Sequence, residues 1–331
     1  MAPKPRLGFL GVGWIGRHRM QAVLDAGLGE ACAICDTSAQ MAAAARDLAP
    51  DAAMMDTLEA LLDTGPDGVL IATPSALHAR QSIRALESGV AVFCQKPLGR
   101  DAREVAAVLD AARRADRLIA VDLSYRHTRA MQAVRDRIGS IGAVFAADLV
   151  FHNAYGPDKP WFYDPELSGG GCVMDLGVHL VDLLLWTLDF PAVDTVSADL
   201  FAGGSRISGK TDVVEDYAVV TLGLEGGATA RLACSWRLHA GCEAVISATF
   251  YGTEGTLVFS NVGGSFYDFV AELRRGTRSE TLLSPPDAWG GRAAVDWAER
   301  LAAGCGFDAE AERLIQVSEV LDRVYASARK S

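Results

Sequence analysis

Two hydrophobic periods divide this chain. Over residues 1–122, short continuous apolar runs alternate with stretches of helical spacing. The runs are Arg6–Leu10, Ala31–Cys35, Ala52–Met55, Gly68–Ala72, Val90–Cys94 and Leu118–Val121. Between them, Arg17–Ala26, Ala39–Leu48, Leu58–Leu62, Leu77–Ser88 and Asp101–Ala115 carry apolar residues at helical intervals. Uninterrupted apolar strands suit a sheet covered on both faces. Strand and helix in strict alternation predict an α/β domain with a doubly wound parallel sheet.

From residue 123 the period changes to two. Ala143–Asn153 sets Phe145, Ala147, Leu149 and Phe151 on one face, and Ala228–Leu238 alternates in the same way. Tyr217–Leu224, Glu243–Tyr251, Thr256–Ser260 and Phe266–Arg274 read as further strands. This pattern predicts an α+β domain over residues 123–306, built on a large, mainly antiparallel sheet with one face on a core. A last helix, Ala309–Ala328 in residues 307–331, is apolar on one side and is expected to pack on either domain.

Gly169–Phe190 departs from both patterns. Three glycines precede an unbroken helical run that is apolar on nearly every side, which predicts a buried helix. It nevertheless carries Asp175 and His179, four residues apart and so on one helical face, with Asp182 one turn further on. Two readings stand at this point: a satisfied Asp–His pair within a core, or a reactive pair.

Composition narrows the function classes. The chain has 331 residues, half of them hydrophobic, enough for two cores. A net charge of −11 without any basic run argues against a nucleic-acid surface. The longest apolar stretch, Val178–Trp186, is too short to span a bilayer, and Met1–Arg6 leads straight into a strand without a leader-like apolar core. Seven cysteines, an odd number in apolar contexts, point to reduced thiols and a cytoplasmic location. The Cys32–Cys35 pair falls within a strand and reads as structural, and no spacing suggests a metal site.

The first strand runs into Gly11-Val-Gly13-Trp14-Ile15-Gly16 and then a helix. Between a strand and a helix, this spacing suits a dinucleotide: Gly11 for the tight turn, Gly13 for approach of a pyrophosphate, Gly16 for close packing. Asp36, at the end of the second strand, stands where an acid binds the adenosine ribose hydroxyls. Thr37 and Ser38 follow, with no arginine to accept a 2′-phosphate, so NAD(H) is expected in preference to NADP(H), which stays possible. Thr73 and Pro74 end the fourth strand, His78 lies in the next helix, and Gln95 and Lys96 end the fifth strand. Carboxyl ends of such strands face the ligand. The candidate cofactor residues are therefore Gly11, Gly13, Trp14, Ile15, Gly16, Asp36, Thr37, Thr73, Pro74, His78, Gln95 and Lys96.

Taken together, GVGWIG at Gly11–Gly16, ATPSALH at Ala72–His78, QKPLG at Gln95–Gly99 and SGGGCVMDLGVHLVDLL at Ser168–Leu185 resemble the glucose–fructose oxidoreductase/inositol dehydrogenase (Gfo/Idh/MocA) family. VEDYAVV at Val214–Val220 and GTEGTL at Gly252–Leu257 add to the likeness, which runs over essentially the whole chain. The resemblance implies an N-terminal Rossmann domain, a C-terminal domain on a mainly antiparallel open sheet, and a homodimer or homotetramer. It implies catalytic roles for Lys96, Asp175 and His179. Gln95 replaces the family's usual glutamate and removes a negative charge beside Lys96. The implied chemistry is NAD(P)-dependent oxidation of a secondary alcohol of a sugar, inositol or related polyol, or the reverse reduction. His179 would serve as acid–base, Lys96 would stabilise the oxygen, and Asp175 would orient substrate or imidazole. Tyr125, Arg126, His127, His152, Asn153, Tyr155 and Trp161 join Asp175 and His179 as candidate substrate contacts. Two alternatives remain, a redox-assisted lyase or glycosidase with transiently reduced cofactor, and a non-catalytic dinucleotide sensor.

Overall fold

The computed structural model describes residues 3–208 and 212–328. It comprises two compact units. The first runs to Ser124 and adds Gly290–Leu314; the second is Tyr125–Trp289 and the chain from Ile315.

In the first unit, β1 (Arg6–Leu10), β2 (Glu30–Cys35), β3 (Ala53–Met55), β4 (Gly68–Ile71), β5 (Ala91–Cys94) and β6 (Ile119–Val121) form a six-stranded sheet in the order β3-β2-β1-β4-β5-β6. Every pairing is parallel. The order reverses between β1 and β4, the switch point at which such sheets bind ligands. The central strands are buried throughout, as their continuous apolar sequences require. Helices α1 (Trp14–Asp25), α2 (Ala39–Arg46), α3 (Leu58–Leu62), α4 (Ser75–Glu87) and α5 (Ala102–Ala115) intervene. Ser38, Thr57 and Asp101 cap α2, α3 and α5 by accepting the backbone N–H three residues on. Cys35 is buried within β2, and the Cys32 thiol donates to the carbonyl of Leu7.

The second unit carries α6 (Arg129–Asp136), β7 (Val144–Asn153), α7 (Pro165–Ser168) and α8 (Val178–Thr187). Then come β8 (Val193–Ala202), β9 (Ser205–Arg206), β10 (Tyr217–Leu224), β11 (Thr229–Ser235), β12 (Ala244–Gly252), β13 (Thr256–Asn261), β14 (Phe269–Arg275) and β15 (Arg278–Leu283). Nine strands form one sheet, ordered β15-β14-β13-β12-β7-β11-β10-β8-β9. It is antiparallel except where β7 lies parallel to β11. Ala147, Leu149, Phe151, Ala230, Leu232 and Cys234 line the face that packs on α8 and its neighbours. Phe145, expected on that face, is 57% exposed because the β7–β12 register shifts at this point and leaves it without a partner on β12.

The helical run from Pro165 to Thr187 is long and apolar enough to cross a membrane, yet 83% of its apolar window is buried within the fold. It is not the unbroken α-helix expected. Residues Val173–Gly177 form a π turn ahead of α8.

Residues 290–306, which sequence assigned to the second domain, pack in the first unit. In α9 (Arg292–Ala302), Ala293, Ala294, Trp297 and Ala298 form an apolar stripe that joins the first core, with the Trp297 ring 5.9 Å from Phe93. The final helix α10 (Arg313–Ala328) buries Val317, Val320, Leu321 and Val324 in the core of the second unit.

Candidate active site

The glycine turn is shaped as its sequence requires. Gly11 has φ +80°, and a Cβ there would lie 2.6 Å from the carbonyl of Ala72. A Cβ on Gly16 would lie 2.1 Å from the carbonyl of Gly11, so strand and helix meet only through glycine. Helix α1 starts from Gly13 with no side-chain cap and no acid in its first turn. Its free N–H groups and positive dipole end therefore suit a phosphate. Trp14 is 61% exposed beside the half-buried Ile15. One carboxylate oxygen of Asp36 accepts the N–H of Val12 at 2.7 Å, and the other accepts the N–H of Ser38 at 2.8 Å. This fixes the acid between the glycine turn and the exposed Thr37, with lone pairs left for ribose hydroxyls. The residues present fit a dinucleotide.

Thr73 and Pro74 stand at the carboxyl end of β4, and Pro74 is the uncapped start of α4. His78 is enclosed by backbone carbonyls. It is 1% exposed, and its two ring nitrogens each lie 2.7 Å from a carbonyl oxygen, that of Pro97 and that of Thr73. Burial holds this imidazole below its ordinary range, and the charge of Lys96 adds to that, while the two carbonyls oppose it. His78 thus ties the end of β4 to the segment that carries the half-buried Lys96.

Gln95 is 7% exposed and donates its side-chain amide to Oδ2 of Asp122. The same oxygen accepts Nε of Arg19 at 2.7 Å. Neither Arg19 nor Asp122 is signalled by any sequence motif. They are 103 residues apart, and only the β5–β6 pairing brings Asp122 beside Gln95.

In the second unit, Oδ2 of Asp175 accepts the indole N–H of Trp236 at 3.0 Å. His179 is 6% exposed, with Tyr125 edge-on at 4.9 Å and Phe151 at 6.3 Å between ring centroids. Tyr125 also packs on Phe269 and Trp289, so its ring serves as an aromatic wall for His179. A second carboxylate sets the helical run. Oε1 of the buried Glu215 accepts the N–H groups of Gly171 and Val173, both at 2.9 Å, and the hydroxyl of Tyr325 at 2.8 Å. Burial raises the pKa of Glu215, while these donors pull it down. A Cβ on Gly171 would lie 1.9 Å from the carbonyl of Glu215, which explains why glycine stands there. Sequence contained the Gly-rich and VEDY segments but gave no sign that one clamps the other.

Other expected substrate contacts are separated by the fold. Arg126 forms a two-pronged ion pair with Asp182 and lies over the rings of Trp186 and Phe190. Asp182 is 1% exposed, and its burial raises its pKa against the pull of Arg126 and His127. Arg126 is thus engaged in packing, and His127 is half-buried beside it in sequence. His152 follows Phe151 in β7, so strand alternation turns it to the sheet face opposite His179. There its Nδ1 lies 2.7 Å from the hydroxyl of Ser235, and its ring stacks on Tyr217 at 5.8 Å. Asn153 returns to the Phe151 face, and its buried Oδ1 has no hydrogen-bond partner among the described residues. Trp161 stacks on Phe162 at 3.8 Å, and Tyr155 is 50% exposed.

Comparison with known proteins agrees across both units. A model described as "Oxidoreductase family, NAD-binding Rossmann fold" matches residues 6–123, and a GFO/IDH/MocA C-terminal domain model matches residues 128–258. A D-apiose dehydrogenase of Paraburkholderia graminis is 31% identical over 300 residues, which are 87% of this chain and 74% of that protein. A D-glucoside 3-dehydrogenase of Escherichia coli is 28% identical over 236 residues, 67% of each chain. The fold is similar to a levoglucosan dehydrogenase solved in complex with NADH and levoglucosan, with a TM-score of 0.83 at 21% identity, covering 98% of this chain and 97% of that one.

Proposed function

This chain belongs to the GFO/IDH/MocA oxidoreductase family, and from that premise we propose that it transfers a hydride between NAD(H) and a secondary alcohol or ketone of a sugar, inositol or related polyol. The observation that carries this reading is His179, a buried imidazole walled by Tyr125 on the same helical run as Asp175, in a chain whose other unit has an NAD-binding architecture.

The nicotinamide, when bound, accepts or gives the hydride. Gly11, Gly13, Trp14, Ile15 and Gly16 would hold the pyrophosphate, and Asp36 with Thr37 the ribose. Lys96, with its ammonium, stabilises negative charge developing on the substrate oxygen. His179 takes the hydroxyl proton during oxidation and returns it during reduction. Asp175, oriented by Trp236, positions a neighbouring substrate hydroxyl. The outer face of the nine-stranded sheet bears half-buried Val150, Val219, Ala233 and Val245, which supports assembly into a homodimer or homotetramer.

A screen of sugars, inositols and other polyols with NAD, followed by the absorbance of reduced nicotinamide, tests this reading. It expects net NADH with at least one polyol. Product formed without net cofactor change would favour a redox-assisted lyase, and cofactor binding without turnover a sensor.

A further inference from the structure

We propose that the buried Arg19–Asp122 pair is a charged anchor that fixes Gln95 and, through the chain, Lys96, so that Arg19, Asp122 and Gln95 are positioning residues for the reaction proposed above, on which this inference rests.

The three side chains come from α1, from the residue after β5 and from the residue after β6, and their exposures are 6% for Arg19, 7% for Gln95 and 1% for Asp122. The backbone is fixed first. Gln95 donates its N–H to Ile71 at 2.8 Å, and Asp122 donates its N–H to Cys94 at 2.9 Å. The side chains then close over the sheet edge. Oδ2 of Asp122 accepts both the Arg19 guanidinium and the Gln95 amide, while Oδ1 is buried with no partner among the described residues. Arg19 is held from its other side, with NH1 at 3.0 Å from Nδ1 of His18.

A buried ion pair is a poor device for stability, because desolvation offsets most of its attraction, and well-packed apolar groups often serve as well. Here the pair closes on one neutral donor, and that donor immediately precedes Lys96. The identities of residues 95 and 122 are therefore coupled. An amide at 95 gives Asp122 the hydrogen it needs. A carboxylate at 95 would stand against Asp122 with a single guanidinium between them, and two carboxylates that close cannot both ionise. Lys96 takes its backbone position from this anchor on one side and from the His78-bound carbonyl of Pro97 on the other.

A charge-swap cycle tests the proposal: Gln95→Glu, Asp122→Asn and the double variant, each measured for Tm as apo protein, for NADH affinity by fluorescence, and for kcat and KM. Each single variant is expected to lose several degrees of Tm and about tenfold or more in kcat, the scale on which small displacements of a reacting group act. The double variant moves the negative charge from 122 to 95, leaves Arg19 paired, and is expected to regain most of both losses. A Gln95→Glu protein equal to wild type in all three measurements would overturn the proposal, as would a double variant no better than the worse single. Single variants with lowered Tm but wild-type kcat, KM and NADH affinity would leave an ordinary structural pair and overturn the positioning role. A wild-type protein that binds NADH but oxidises no polyol would refute the functional reading instead, and the Tm and NADH-affinity cycle would still decide the anchor.

Discussion

The carboxylate of Glu215 accepts the backbone N–H of Gly171 at 2.9 Å, across 44 residues of sequence. The same oxygen serves Val173 and Tyr325, so one side chain satisfies the start of the helical run that carries Asp175 and His179. Glu215→Ala leaves three buried donors without a partner. At about 1–3 kcal/mol per unsatisfied group, discounted for relaxation, the expected loss is on the order of 3–5 kcal/mol. Glu215→Gln keeps an acceptor oxygen and is expected to lose less than half as much. Urea unfolding of both variants checks this, and equal stability of Glu215→Ala and wild type would contradict it.

Arg126→Ala is expected to act on stability before substrate affinity. Asp182 is 1% exposed, and removing its guanidinium strands a buried carboxylate at a cost of about 3–5 kcal/mol. Arg126→Lys keeps the charge but loses the two-pronged geometry, and falls between. Denaturation midpoints and KM measured side by side decide it; a raised KM at unchanged stability would restore Arg126 as a substrate contact.

Much of the fold was legible in the sequence, for reasons visible in single elements. β4 and β5 are apolar throughout because both faces are covered, and β10 alternates because one face is not. β8 mixes Asp194, Thr195, Ser197 and Asp199 among its apolar residues, and β15 is exposed along most of its length, so neither shows a clean period. α9 is short, and its stripe is mainly alanine, which signals packing only once Trp297 is seen inside the first core. At the site, Gly11, Asp36, Asp175 and His179 stand in local patterns. Arg19, Asp122, Glu215 and Trp236 act through contacts between distant elements, for which local spacing carries no signal. His152 stands on the sheet face away from His179 because neighbours in a strand point to opposite faces, a distinction that composition near the site does not carry.

Cofactor discrimination should rest on Asp36. Its carboxylate is fixed by Val12 and Ser38, and a 2′-phosphate would meet that charge with Thr37 and Ser38, not arginine, in the next two positions. NAD(H) is expected to bind at least about tenfold more tightly than NADP(H), since like-charge contacts cost more than the 1.4 kcal/mol that corresponds to tenfold. Asp36→Ser should narrow the gap. Calorimetric titration of both cofactors into apo protein measures it, and equal or tighter NADP(H) binding would contradict the assignment.

Acid sensitivity should trace in part to His152. Its burial lowers its pKa in the folded chain, whereas the unfolded chain titrates near the ordinary value of about 6.5. As pH falls below that value the unfolded state takes up the proton first. Stability is therefore fully present above about 6.5 and is lost as pH drops through the lowered folded value. His152→Asn is expected to flatten the fall in Tm between about pH 7 and 5, while turnover at neutral pH stays near wild type because the side chain faces away from His179. An unchanged Tm slope would show that burial of this imidazole has no energetic consequence.

Hydride transfer from a substrate carbon to a nicotinamide leaves an isotopic trace. The most direct measurement follows the label from a polyol, identified in the screen, that carries deuterium at the oxidised carbon. After turnover with unlabelled NAD, one deuterium is expected on the nicotinamide of each NADH, with an unlabelled carbonyl carbon in the product. Deuterium kept in the product, with no label on the cofactor and no net NADH, would contradict it.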